Sequence, residues 1–128
     1  MEAERVTITN LVPTMLTLLL AEPEVGRRDL RALRRLLSGG APIAPDTVRR
    51  IVEVFRCEYV QTYGMTETSP YLTMSIPKAA MRGRPPEEQL RWRARTGRPF
   101  LGVELRVLRD DGTPVRDDDR EVGEIVVR

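Results

Sequence analysis

Histidine is absent from the 128 residues, and cysteine and lysine occur once each. With no imidazole, schemes that use histidine as base or metal ligand are excluded. Cys57 alone cannot form an intramolecular disulfide, and no Cys/His cluster has zinc-ligand spacing. Aromatic residues make up only 5%, which is thin for a base-stacking nucleic-acid surface. The longest apolar run, residues 11–21, is interrupted by Pro13, Thr14 and Thr17. It falls short of the roughly 20 residues a bilayer span needs, so no transmembrane segment is expected. Glu2 and Glu4 stand where a secretory signal carries positive charge. A reducing cytoplasm is the expected setting.

What is present describes a small globular chain. Hydrophobic residues make up 41%, charged residues 31%, and the net charge is +2. That excess gives no reason to expect an anionic partner. Arginine supplies all but one of the 21 basic residues. Arg27, Arg28, Arg31, Arg34, Arg35, Arg49, Arg50 and Arg56 crowd into one stretch, so an arginine-rich nucleic-acid-binding module is a rival reading. No aromatic residue lies between Arg27 and Arg35 to stack on bases. The run Asp117, Asp118, Asp119 reads as a solvated turn rather than a metal site.

Periodicity supplies the elements. Val6, Thr7, Ile8 and Thr9 make a β-branched strand. Val12, Met15, Leu16, Leu19 and Leu20 follow the i, i+3, i+4, i+7, i+8 spacing of an amphipathic helix that Pro13 opens and Pro23 ends. A helical turn over residues 30–35 leads to a buried strand at Leu36 and Leu37. Pro45 starts a second helix with Val48, Ile51, Val52 and Phe55 inward, and residues 58–63 form the next strand. Alternating strands and helices predict an α/β layer with parallel strands. A helix is expected over 87–95. Val103, Leu105 and Val107 alternate into a half-buried strand, Asp111 and Gly112 turn the chain, and 124–127 form another strand. The fold class expected is a partial parallel α/β sheet layer, residues 1–96, followed by an antiparallel, barrel-like β portion, residues 97–128.

Two stretches hold candidate chemistry. In QTYGMTETSP a strand stops at Gly64 and is followed by Met65, Thr66 and Glu67. Ligands of open α/β sheets bind beyond the carboxyl ends of the strands. There Tyr63 offers a flat face, Thr66 and local N–H groups can reach phosphate oxygens, and Glu67 can hold magnesium shared with a substrate phosphate. The plainer alternative is a strand-ending turn in which Tyr63 packs and Thr66 caps the backbone. In SGGAPI, Gly39 and Gly40 allow close backbone approach. A tight turn alone would explain one glycine and leave the second less needed.

SGGAPIAPDT, then QTYGMTETSP, then GRPFLGVELRV and VGEIVVR, in that order, resemble the adenylate-forming (AMP-binding) superfamily of acyl-CoA synthetases, luciferases and peptide-synthetase adenylation domains. The RWRARTG stretch is most similar to fatty-acyl-CoA ligases. The resemblance implies that Tyr63 stacks on adenine with Ala41 and Pro42 on the other face of the base. It further implies that Thr66 contacts the ATP and adenylate phosphates and that Glu67 binds Mg2+. Gly39, Gly40 and Met65 would border the acyl channel, with the helix from Pro13 as wall, while Gln61 and Gly64 position the loop. The implied substrates are a fatty acid, ATP and CoA, with AMP leaving in the second step.

The same resemblance implies parts that these residues lack. No Ser/Thr/Gly-rich phosphate loop precedes Ser38, no ribose-binding aspartate follows the last strand, and Lys78 is misplaced for the catalytic lysine. The expectation is therefore the middle of an acyl-CoA synthetase N-terminal domain, inactive alone, with exposed strand edges that favour homo-oligomers. A non-catalytic structural remnant is the second rival.

Overall fold

The computed structural model describes residues 1–128. Two compact units, Met1–Arg98 and Pro99–Arg128, make up the chain. The first contains β1 (Ile8–Asn10), α1 (Pro13–Ala21), β2 (Arg35–Ser38), α2 (Pro45–Phe55), β3 (Glu58–Tyr63), β4 (Thr73–Met74) and α3 (Pro86–Arg93), and β5 (Arg98–Pro99) follows. Their sheet runs β1-β2-β3-β4-β5. The first three strands are parallel, and β4 is antiparallel to β3. The parallel β1–β3 part is the α/β layer that the strand–helix alternation predicts; the antiparallel β4, only two residues long, carries no pattern that marks it in the sequence.

The core follows from period and register. Val48, Ile51 and Phe55 are buried along one face of α2. They join Leu16 and Leu20 from α1, Leu36 from β2 and Tyr59 from β3 in one cluster. Each such side chain contributes about 1.5–3 kcal/mol through burial. Pro45 opens α2 without losing a needed donor, and Asp46 sits in its positive first turn. At its far end Arg56 takes a left-handed conformation, φ +51°, and its N–H closes on the Val52 carbonyl at 2.9 Å.

Several local expectations are corrected. Val12 and Met15 are exposed, so the buried stripe of α1 narrows to Leu16 and Leu20. β1 begins at Ile8 rather than Val6, and the Thr7 carbonyl instead accepts from the Arg34 and Arg35 N–H groups. The helical turn lies at Val25–Arg27 rather than over 30–35, because Pro23 ends α1 and the chain folds directly back. Leu33 then reaches the core just before β2.

The second unit is a two-stranded antiparallel sheet of β6 (Leu105–Leu108) and β7 (Glu124–Val127), in register Leu105↔Val127. Val103 lies outside β6 because its N–H closes a turn onto the Phe100 carbonyl at 3.1 Å. Asp118 caps the following loop, accepting from the Arg120 and Glu121 N–H groups at 3.0 Å each, so the aspartate run is a turn.

Candidate functional site

β2 and β3 are parallel and paired Ser38↔Gln61, so both carboxyl ends finish on the same edge of the sheet. The stretch 39–42 leaves from one strand, and 64–67 leaves from its neighbour. The two sequence-predicted segments are thereby brought together.

The glycines are fixed by sterics. A Cβ on Gly39 would strike the Thr62 side chain and lie 2.9 Å from its carbonyl oxygen. Thr62 occupies that place because its Oγ1 donates to the Ser38 carbonyl at 3.1 Å. Gly40 has φ +84°, where a side chain is strained. Both glycines are therefore required by the backbone, which corrects the expectation that a turn needs only one. At Gly64 the Pro70 carbonyl fills the position of a Cβ, and the Leu72 N–H donates to the Tyr63 carbonyl at 2.9 Å. Residues 64–72 thus leave β3 and return to its end.

Within that loop Thr66–Thr68 form a single 3₁₀ turn. Thr68, not Thr66, caps it, through a hydroxyl that bonds the Met65 N–H and carbonyl. Thr66 and Glu67 stay exposed. Their side chains make no hydrogen bond or ion pair with the rest of the chain. Tyr63 is half-buried and Met65 exposed. The edge thus presents an aromatic face, a hydroxyl and a carboxylate that the fold itself does not consume. A lone uncommitted carboxylate suits magnesium, which prefers one or two carboxylates plus substrate phosphates over an all-protein cage.

On the glycine side, Ala41 and Pro42 are exposed. The Ala41 carbonyl accepts from Gln61 Nε2 at 3.1 Å. A Cβ on Gly40 would lie 3.9 Å from Val12 Cγ1, which puts the start of α1 beside the glycines. Two contacts here escaped the sequence reading. Asn10, at the carboxyl end of β1, donates to the Tyr71 hydroxyl at 2.8 Å across 61 residues. Tyr59 bonds Gln61 from the core. The signal for Tyr59 was its period-two alignment with Gln61 and Tyr63; nothing local marks Asn10.

The other candidates carry no chemistry. Burial pushes the Cys57 thiol up to about 11, away from thiolate reactivity. Five of the eight arginines in that stretch are ion-paired: Arg27 with Glu24, Arg28 with Glu2, Arg31 with Asp29, Arg35 with Glu58, and Arg49 with both Asp46 and Glu87.

Comparison with known proteins agrees with this geometry. The AMP-binding enzyme family matches residues 1–128. A 3-methylmercaptopropionyl-CoA ligase of Ruegeria lacuscaerulensis is 37% identical over 123 residues, 96% of this chain and 23% of that protein. A long-chain-fatty-acid–CoA ligase of Thermus thermophilus is 36% identical over 127 residues, 99% of this chain and 23% of that protein. Among solved structures, the O-succinylbenzoate coenzyme A synthetase of Bacillus subtilis, in complex with ATP and a magnesium ion, superposes with a TM-score of 0.73 at 28% identity. That match covers 98% of this chain and 23% of the other. The chain spans less than a quarter of the length of these relatives. With its two loops converging on one sheet edge, the chain belongs to the AMP-binding enzyme family.

Proposed function

We propose that this edge serves ATP-dependent activation of a carboxylic acid, and that the acid is a fatty acid passed on to CoA. The observation that carries the proposal is the convergence of residues 39–42 and 63–67 at the shared carboxyl edge of β2 and β3. In the proposed reaction a carboxylate oxygen attacks the α-phosphorus of ATP, the bond to the β-phosphate oxygen breaks, and pyrophosphate leaves. The thiolate of CoA then attacks the acyl carbon, and AMP leaves with the bonding pair.

Tyr63 provides one wall for the adenine, and Ala41 with Pro42 the other. Thr66, whose hydroxyl the turn leaves free, donates to phosphate oxygens. Glu67 holds magnesium, which when bound neutralises charge on those oxygens. The remaining help is orientation of the two reactants, which suits a chain without histidine. A fatty chain is supported by the exposed apolar side chains of Val12, just before α1 and beside Gly40, of Met15 and Leu18 on α1, and of Met65. The 128 residues contain no Ser/Thr/Gly-rich phosphate loop and only Lys78 as lysine, so pyrophosphate exchange by these residues alone stays at background. We place the protein in the cytoplasm, where ATP and CoA are available and a lone thiol stays reduced.

Calorimetric titration of magnesium-ATP into the chain tests the assignment. Tyr63→Ala should weaken binding about tenfold, in line with the 1–3 kcal/mol that stacking a base contributes. Glu67→Gln should remove the gain that magnesium gives while leaving Tm unchanged. Equal affinity in wild type and Tyr63→Ala would overturn the reading.

A further inference from the structure

Tyr59, Gln61 and Tyr63 alternate along β3 and so share one face of the sheet. They step from the core to the edge: Tyr59 is fully buried, Gln61 is buried, and Tyr63 is half-buried. The Tyr59 hydroxyl donates to Gln61 Oε1, and Gln61 Nε2 donates to the Ala41 carbonyl at 3.1 Å. The Gln61 backbone is itself held, its N–H donating to Ser75 Oγ at 2.7 Å and its carbonyl accepting from the Ser75 N–H at 2.9 Å.

A primary amide has one accepting end and one donating end, and its surroundings decide which points where. Only the donating end can serve the Ala41 carbonyl. The Ala41 carbonyl, which can only accept, sets that orientation, and the Tyr59 hydroxyl donates to the Oε1 that it leaves facing the core, anchoring the amide there. Burial pushes the Tyr59 phenol up to about 12, against a smaller opposing pull from the neighbouring Ser38 hydroxyl, so it remains a donor through the neutral range. Ser38 Oγ is buried and makes no hydrogen bond of good geometry, so it does not duplicate the tether.

We infer that Tyr59 is a positioning residue for the nucleotide slot: acting through the Gln61 amide, it fixes the Ala41 carbonyl and so the 40–42 wall opposite Tyr63. The slot itself rests on the adenylate-forming reading above; the tether does not. Tyr59 touches no ligand. It acts by holding a loop whose Gly40 would otherwise leave it free to move.

Backbone 15N relaxation by NMR on the ligand-free chain, followed by AMP titration, tests the inference. Tyr59→Phe keeps the ring and its packing. It should lower the order parameters of the Gly40 and Ala41 amides from about 0.85 towards about 0.6, while those of Val48 and Ile51 stay unchanged. Gln61→Met should do the same, and the double variant should add nothing, because the two residues act as one unit. Tyr59→Phe should also weaken AMP binding about three- to tenfold, the scale of one lost buried hydrogen bond. Unchanged loop order parameters, a uniform drop that includes α2, or additive effects would each overturn the inference. So would unchanged AMP affinity in a chain whose loop had loosened. A wild-type chain that binds no AMP would instead sink the nucleotide reading, while the relaxation data still decided whether Tyr59 governs the loop.

Discussion

Thr68 clamps Met65 twice: its Oγ1 accepts from the Met65 N–H at 3.2 Å and donates to the Met65 carbonyl at 2.9 Å. The threonine two positions earlier, Thr66, is left to solvent. The two side chains are chemically alike and two residues apart, yet the turn uses one hydroxyl and leaves the other uncommitted. Thr68→Ala should cost about 1 kcal/mol of stability, the usual loss for a capping hydroxyl. Thr66→Ala should leave Tm within experimental scatter yet weaken ATP binding. Parallel thermal melts and titrations check both. A large Tm loss in Thr66→Ala would return that residue to a structural role.

Gly64 offers a sharper steric test. The Pro70 carbonyl stands where its Cβ would be, and the Leu72 amide nitrogen lies 3.0 Å from that point, so the contact is with backbone on both counts. Backbone cannot swing aside as a long side chain can. Gly64→Ala should therefore destabilise the chain by about 2–3 kcal/mol, as overpacking does. Gly83, with nothing within 4 Å of an added Cβ, provides the control: Gly83→Ala should change stability by less than about 0.5 kcal/mol. Urea denaturation followed by circular dichroism distinguishes the two.

These glycines also mark how far the sequence could be read. α2 and β3 were legible because their patterns agree with their surroundings, the apolar spacing of Val48, Ile51 and Phe55 and the limits that Pro45 and Gly64 set. The meeting of the two motif loops was implied by the family resemblance, which set Tyr63 and Ala41 with Pro42 on opposite faces of one base, and the parallel pairing of β2 with β3 supplies its physical reason. What stayed hidden depends on contacts distant in sequence. Gly39 is needed because Thr62 lies across from it, which no local pattern encodes. Val12 and Met15 fit a helical period but face outward, because period gives a stripe and not its width. The Tyr59 tether needed the third dimension to pair a core phenol with a loop carbonyl 18 positions earlier in the chain.

The β6–β7 unit should show an acid transition of its own. Hydrogen bonds from the Arg109 side chain, and then from the Arg116 N–H, lower the Glu121 carboxyl from its ordinary 4.5 to about 2. Because the folded value is depressed, the contribution of Glu121 is fully present above about pH 4.5. It falls away as the pH drops towards 2. Glu121→Gln should therefore be less stable than wild type at pH 7, with the difference shrinking below pH 4.5 and vanishing near 2. Thermal melts across that range measure it. A difference that stayed constant with pH would show that the ion pair is not its source.

The last expectation concerns association. β7 pairs with β6 on one side only. Ile125, Val126 and Val127 are 46%, 42% and 38% exposed. A short strand with an unpaired edge and three β-branched apolar side chains in a row is a template for pairing with another copy, and its charges, Glu124 and Arg128, stand only at its two ends. The 128-residue chain should accordingly self-associate as its concentration rises. Val126→Lys, which places a charge in the middle of the strand, should shift it towards monomer without lowering the Tm of the α/β unit. Light scattering over a concentration series reads the first effect and calorimetry the second. A wild-type chain that stays monomeric at millimolar concentration would show that the β7 edge does not recruit a partner of its own kind.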